Sequence, residues 1–240
     1  MTTNPERVVP SSVLACAPGE ADEFLIRPTV GVRSVLARTP GRFLVLGAVG
    51  KMGLHLCAML QRGLEQIGRR ERVVGVSRFT TLRDREDFRA FGIETIACDL
   101  TSARAVAELP DAETIFFLAG VKFATATDPG LLRQMNVEMP RIVAARFARS
   151  RIVAFSTGCV YPFVGPESGG ATEDTPLAPV GDYAESCAQR EAVFAAQSRS
   201  AGTAVTFIRL NYSVEFRYGV LSDIATKVWT GAPVDVSTGY

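Results

Sequence analysis

From Arg42 onward the chain alternates short apolar runs with segments of helical spacing, and few architectures tolerate that rhythm. The runs are Phe43–Leu46, Val73–Val76, Ile93–Ala97, Thr114–Leu118, Arg151–Phe155 and Ala204–Ile208. Most are apolar at consecutive positions, as expected of strands buried on both faces. Helical spacing fills Leu54–Ile67 and the charged stretch Arg83–Phe91. It also fills a segment that Thr101 can cap, and the stretches at about 130–149 and 183–200. Strands linked by helical crossovers form a parallel sheet with helices on both faces, so the expected fold class is α/β, a Rossmann-type doubly wound sheet. Ligands of such sheets bind at the carboxyl ends of the strands, which directs attention to the residue after each apolar run.

The first strand is followed by Gly47-Ala48-Val49-Gly50-Lys51-Met52-Gly53, a G-x-x-G-x-x-G spacing between a buried strand and an amphipathic helix. Glycines there let the backbone turn tightly and approach a pyrophosphate, with the positive end of the following helix aimed at it. Ser77 and Arg78 follow the second strand, where an acid would favour NAD. A neutral residue with an arginine can accept the 2′-phosphate of NADP, so NADP is the preferred cofactor and NAD the alternative. Asp99 and Leu100 follow the third strand, and Asp99 either accepts from an adenine amino group or caps the next helix. The fourth run ends in Leu118-Ala119-Gly120-Val121-Lys122, the fifth in Ser156-Thr157-Gly158-Cys159-Val160-Tyr161, and Asp182-Tyr183 opens a late helix.

Composition excludes several classes. A net charge of +1 lacks the basic excess of nucleic-acid binders, and no run of 18 apolar residues exists to span a membrane. Pro10, Ser11 and Ser12 interrupt the mildly apolar start, against a secretory signal. The five scattered cysteines form no C-x-x-C pair and fit reduced cytoplasmic thiols, not a disulfide framework or a zinc site. One histidine, His55, excludes a multi-histidine metal site and reads as a packed residue. Arg83-Asp84-Arg85-Glu86-Asp87 reads as a solvated helix face. Without a G-x-S-x-G elbow an α/β-hydrolase is disfavoured.

Taken together, these segments resemble the extended short-chain dehydrogenase/reductases, specifically the sugar-nucleotide epimerase/dehydratase family. The resemblance rests on the glycine motif, on Leu118–Lys122 with its lysine, and on Asn136-Val137-Glu138. It rests also on Phe155-Ser156-Thr157-x-x-Val160-Tyr161 and on the acid- and proline-punctuated lead-in from Thr172 to Tyr183. It implies cofactor contacts from Gly47, Val49, Gly50, Lys51, Met52, Gly53, Leu118, Ala119, Gly120, Lys122 and Asn136, a nucleotide-sugar substrate, and a homodimer through the helices carrying Asn136 and Tyr183. It also implies that Tyr183 is the general acid/base, that Thr157 bonds the substrate oxygen, and that a lysine four residues after the tyrosine binds the nicotinamide ribose. Cys187 stands at that lysine position. An unperturbed tyrosine, with pKa near 10, is phenolate in only about one molecule in a thousand at pH 7. Three groups can answer for the lysine: Lys122, Arg190 on the same helical face, or the Cys187 thiol as an acid/base.

Two functions are compatible with these residues. One is an NAD(P)-dependent epimerase, dehydratase or reductase acting on a sugar nucleotide or related polyol. The alternative is a non-catalytic dinucleotide-binding sensor of the same fold. The expected organisation is an N-terminal extension over residues 1–40, with a helix that Thr29 caps, then a dinucleotide-binding domain over 41–210. Residues 211–240 open a partial, truncated substrate lobe, with Arg209 and Asn211 at its border and a helix from Leu221 to Thr230.

Overall fold

The computed structural model describes residues 18–121, 128–211 and 219–235. Lys122, Tyr212 and Val236 lie outside them. Six parallel strands form one sheet: β1 (Phe43–Leu46), β2 (Val74–Ser77), β3 (Glu94–Ala97), β4 (Thr114–Phe117), β5 (Arg151–Thr157) and β6 (Val205–Leu210). Their spatial order is β3-β2-β1-β4-β5-β6, so β1 and β4 are neighbours at the centre and the chain winds outward in both directions from them. Registers such as Val45 beside Gly75 on β2 and beside Phe116 on β4 bring the strand ends level.

The two faces of β1 seed two cores, as the alternation of side chains along a strand requires. Leu44 and Leu46 pack with Ile115, Phe117, Val143, Phe147 and Phe194 on one face. Phe43 and Val45 pack with Cys57, Leu60, Leu64 and Phe88 on the other. The second face is covered by α3 (Gly53–Gln66) and α4 (Leu82–Ala90), and the first by α5 (Ala103–Ala107), α7 (Met139–Arg146) and α8 (Asp182–Ala201).

Two elements differ from the sequence expectation. The cap of α5 is Ser102, whose side chain accepts from the Ala105 N–H. Thr101 instead gives both its N–H and its hydroxyl to Asp99, so the expected cap lies one residue too early. The expected long helix at about 130–149 is built in three parts. These are α6 (Pro129–Arg133), a π-helical turn over Gln134–Glu138, and α7. A π turn carries one residue more than an α turn and so rotates the succeeding residues about the helix axis. Here it holds Asn136, which is fully buried.

Before the sheet, α1 (Pro18–Leu25) and α2 (Val30–Arg38, capped by Thr29) pack against α3. Leu36 fills the space that a side chain at Gly63 would occupy. Asp22 meets His55 at 2.8 Å, and Glu23 pairs with Arg62. Arg69 binds the carbonyls of Leu36, Thr39 and Gly41, fixing the chain where it leaves α2. After β6, α9 (Val220–Thr230) buries none of its residues, and Trp229 is 91% exposed. Among the described residues no helix is long and apolar enough to cross a membrane.

Candidate active site

The glycine loop leaves β1 and enters α3, and its three glycines meet different demands. Gly47 has φ +85°, and a Cβ there would come within 2.6 Å of the Ala119 nitrogen on the β4 side. A Cβ on Gly53 would overlap the Ala48 carbonyl, so this glycine lets helix and strand close together. Gly50 is constrained least, since its Cβ would meet the Gly47 carbonyl oxygen at 3.2 Å. A side chain there would ask the loop to give by a few tenths of an ångström, less than at the other two glycines, and a glycine also leaves the backbone open to close approach by a ligand. Met52 at the N-cap of α3 supplies no side-chain cap, and the Gly53 N–H is met by the Gly50 carbonyl at 3.0 Å, so the positive end of a 14-residue helix faces the loop without a side chain over it.

A cleft of about 480 Å³ opens over this loop. Of the sequence candidates it is lined by Gly47, Val49, Gly50, Ser77, Arg78, Asp99, Leu100, Leu118, Ala119 and Gly120. Met52 and Gly53 are not among its lining residues, and Lys51 carries its amino group to Gly219, ahead of α9. Gln134, Met135 and Met139 also line the cleft. Sequence reasoning misses them because the π turn that brings them there has no spacing signature. The glycine loop, the helix start without a side-chain cap and a cleft lined from the ends of four strands fit an extended dinucleotide.

At the far end of the cleft Ser77 is half-buried and Arg78 exposed. They are followed by Phe79 at φ +48°, the one non-glycine residue with positive φ among the described residues. Its ring is buried edge-on against Phe88, with centroids 5.4 Å apart, and this anchoring holds the unusual backbone. Asp99 accepts twice from Thr101, which holds its carboxyl below the usual range, and Arg78 adds to the effect. The reading of Asp99 as a helix cap is not met, since Ser102 caps α5 and the Asp99 carboxylate instead organises the turn ahead of it through Thr101.

Tyr183, on the first turn of α8, stands beside Thr157 at the end of β5 and beside Cys187 one turn along, hydrogen-bonded to both. Thr157 also accepts from the Cys159 N–H at 3.2 Å. Burial and the Cys187 thiol push the tyrosine up to about 12, against the lowering influence of Arg190 and of the Thr157 hydrogen bond. Cys187 is fully buried, and burial pushes its thiol up as well, so at neutral pH it carries no charge. His55 lies behind the loop in its pairing with Asp22, away from this group.

Beneath Tyr183 and Cys187 lies Arg190, 7% exposed. It donates to the Phe155 carbonyl at 3.2 Å and to Asn136 Oδ1. Asn136 is saturated: its Oδ1 also accepts from the Val121 N–H, and its Nδ2 donates to the Val121 carbonyl and to Ser186 Oγ. Asn136 therefore ties the end of β4 to α8, and its side chain does not face the cleft. A Cβ on Gly120 would overlap the Arg190 guanidinium, which accounts for that glycine. The next residue, Glu191, is held by Arg209 through a two-pronged ion pair with a closest approach of 2.7 Å.

The family model of the NAD dependent epimerase/dehydratase family matches residues 43–234. No curated protein matches the chain. Among solved structures, dTDP-glucose 4,6-dehydratase (DesIV) of Streptomyces venezuelae, solved with NAD, is 23% identical with a TM-score of 0.67, over 79% of this chain and 62% of that one. WbmG of Bordetella bronchiseptica, in complex with NAD, is 20% identical with a TM-score of 0.64, over 81% and 61%. UDP-glucuronic acid 4-epimerase of Bacillus cereus, in complex with NAD, is 19% identical with a TM-score of 0.57, over 70% and 56%. At these identities the likeness is one of fold, and the matched part spans about three fifths of those proteins' length. A family match running from the first residue of β1 to beyond α9 makes this chain a member of the NAD dependent epimerase/dehydratase family.

Proposed function

We propose that the chain is an NAD(P)-dependent enzyme that epimerises, dehydrates or reduces a nucleotide sugar or related polyol, with Tyr183 as acid/base. The observation that carries this reading is the Tyr183–Thr157 pair at the end of β5, one strand away from the strand that ends over the cleft. The dinucleotide would lie along Gly47, Gly50, Leu118 and Ala119, with its pyrophosphate over the start of α3. When bound, it supplies hydride acceptance and return at the substrate carbon. Thr157 orients the substrate oxygen by hydrogen bonding. Tyr183 holds its phenol proton throughout the neutral range, so the free site is set to donate a proton to that oxygen. Exposed Arg78 beside Ser77 supports a preference for NADP over NAD, which titration of both reduced cofactors would test.

Residues 41–210 are read as the dinucleotide-binding domain, 1–40 as an extension upon it and 211–240 as the opening of a substrate lobe. A homodimer through α7 and α8 belongs to the same reading, supported by a groove of about 520 Å³ between them lined by Val137, Val193 and Ala196. A cytoplasmic, reducing setting is supported by the free thiols of Cys57, Cys98, Cys159 and Cys187.

The test is Tyr183→Phe, assayed on a panel of nucleotide sugars with either cofactor. Turnover is expected to fall on the order of 10²–10⁴-fold while cofactor affinity stays put. Unchanged turnover would remove Tyr183 from the chemistry. The alternative is a sensor that binds dinucleotide without catalysis. That alternative is the outcome if the wild type binds cofactor and turns over nothing on the panel.

A further inference from the structure

Arg190 is a buried cation with no counter-ion among the described residues. No carboxylate among the described residues pairs with it, because its neighbour Glu191 is occupied by Arg209. Its Nε–H is buried with no partner among the described residues. Desolvating a guanidinium in this way is costly, and such groups persist where something else requires the charge. The surroundings are nonetheless built around it. Gly120 gives up a side chain to admit it, Asn136 is oriented by three further hydrogen bonds to receive it, and the Phe155 carbonyl, two residues before Thr157, accepts from it. Tyr183, Cys187 and Arg190 follow one another at i, i+4 and i+7, a single stripe of α8.

We infer that Arg190 is the positioning cation of the acid/base pair, a fixed charge under Tyr183 that favours the phenolate whenever the proton leaves. This rests on the reading of Tyr183 as acid/base. The other titratable or charged groups around the stripe are Cys187 and Glu191 on α8, Cys159 after β5 and Arg209 on β6. Burial keeps the Cys187 thiol protonated, and Glu191 is ion-paired with Arg209. That leaves Arg190 as the charge that sets the balance among the described residues. Arg190 never touches substrate; it acts through Tyr183, and through the Asn136 bridge it also holds the end of β4 in place.

The experiment reads Tyr183 directly. Phenolate absorbance is followed within milliseconds of a jump to alkaline pH, as the difference between each full-length chain and the same chain carrying Tyr183→Phe. The series is wild type, Arg190→Lys and Arg190→Gln, without cofactor. Arg190→Gln is expected to raise the Tyr183 midpoint by about one unit, a tenfold loss of phenolate at a given pH, and Arg190→Lys to keep most of the wild-type value. Coincident midpoints in wild type and Arg190→Gln would overturn the inference. A second measurement needs only the native Arg190. Its Nε–H resonance in labelled wild-type protein should shift with the ionisation of Tyr183 and lose that shift in Tyr183→Phe. Independence of the two groups would overturn the inference even if Arg190→Gln failed to fold. The two readings fail separately. Wild-type turnover in Tyr183→Phe would sink the acid/base assignment and leave the Arg190 coupling standing. Lost turnover with an unmoved titration would sink Arg190 alone.

Discussion

Gly50 and Gly53 lie three residues apart in one loop, yet they should respond differently to the same change. Gly53→Ala forces a Cβ into the Ala48 carbonyl, and a strain of this kind in packed backbone costs about 1–3 kcal/mol. Gly50→Ala meets one carbonyl oxygen at 3.2 Å and should leave stability within about 0.5 kcal/mol. Its effect should be on the ligand, weakening dinucleotide binding about tenfold or more. Urea midpoints and cofactor titrations of the two variants separate these outcomes, and a Gly50→Ala chain that binds as before would remove the loop from the cofactor path. At this scale the glycines are legible because spacing, strand and helix agree in the sequence. Asp99 stays open between two roles, since an acid after a strand end serves either. The way Arg190 reaches Asn136 cannot be read, because a contact across 54 positions leaves no local trace.

The segment from Pro129 to Arg146 reads as one helix because its apolar spacing continues without a breaker, and Pro140 falls where the first turn of α7 tolerates it. What the spacing hides is the widened turn over Gln134–Glu138. That turn aims Met135 and Gln134 at the cleft and Asn136 toward the backbone beyond β4 and toward α8. The cap of α5 falls one residue off for a related reason, since Thr101 and Ser102 are equally good caps and Asp99 decides between them by claiming Thr101. Asn136 fastens three elements at once, and Asn136→Ala would leave the Val121 N–H and carbonyl and the Arg190 guanidinium short of partners. A loss of about 2 kcal/mol or more is expected, measurable as a drop in urea midpoint. A neutral result would mean that water replaces the amide without cost, and the bridge between β4 and α8 would lose its meaning.

At the scale of the molecule the sheet is the most readable part, because consecutive apolar runs leave little choice but a parallel sheet covered on both sides. Legibility fades toward the two flanks. Arg69 fastens the N-terminal helices through three carbonyls, and backbone acceptors carry no sequence signal. At the other flank α9 shows the periodic pattern of a packed helix, with Leu221, Ile224 and Val228 along one side, yet all three are exposed. The chain has a single tryptophan, and it sits on this helix at position 229. Its indole is 91% exposed in the folded state, so the tryptophan emission of the protein is silent about the sheet. During urea unfolding, circular dichroism should register a cooperative transition while the tryptophan emission maximum stays where it began. An emission that shifts blue in the native protein and moves red at the same midpoint would mean that something shelters that side of α9. The single tryptophan thus serves as a gauge of whether this surface is dry.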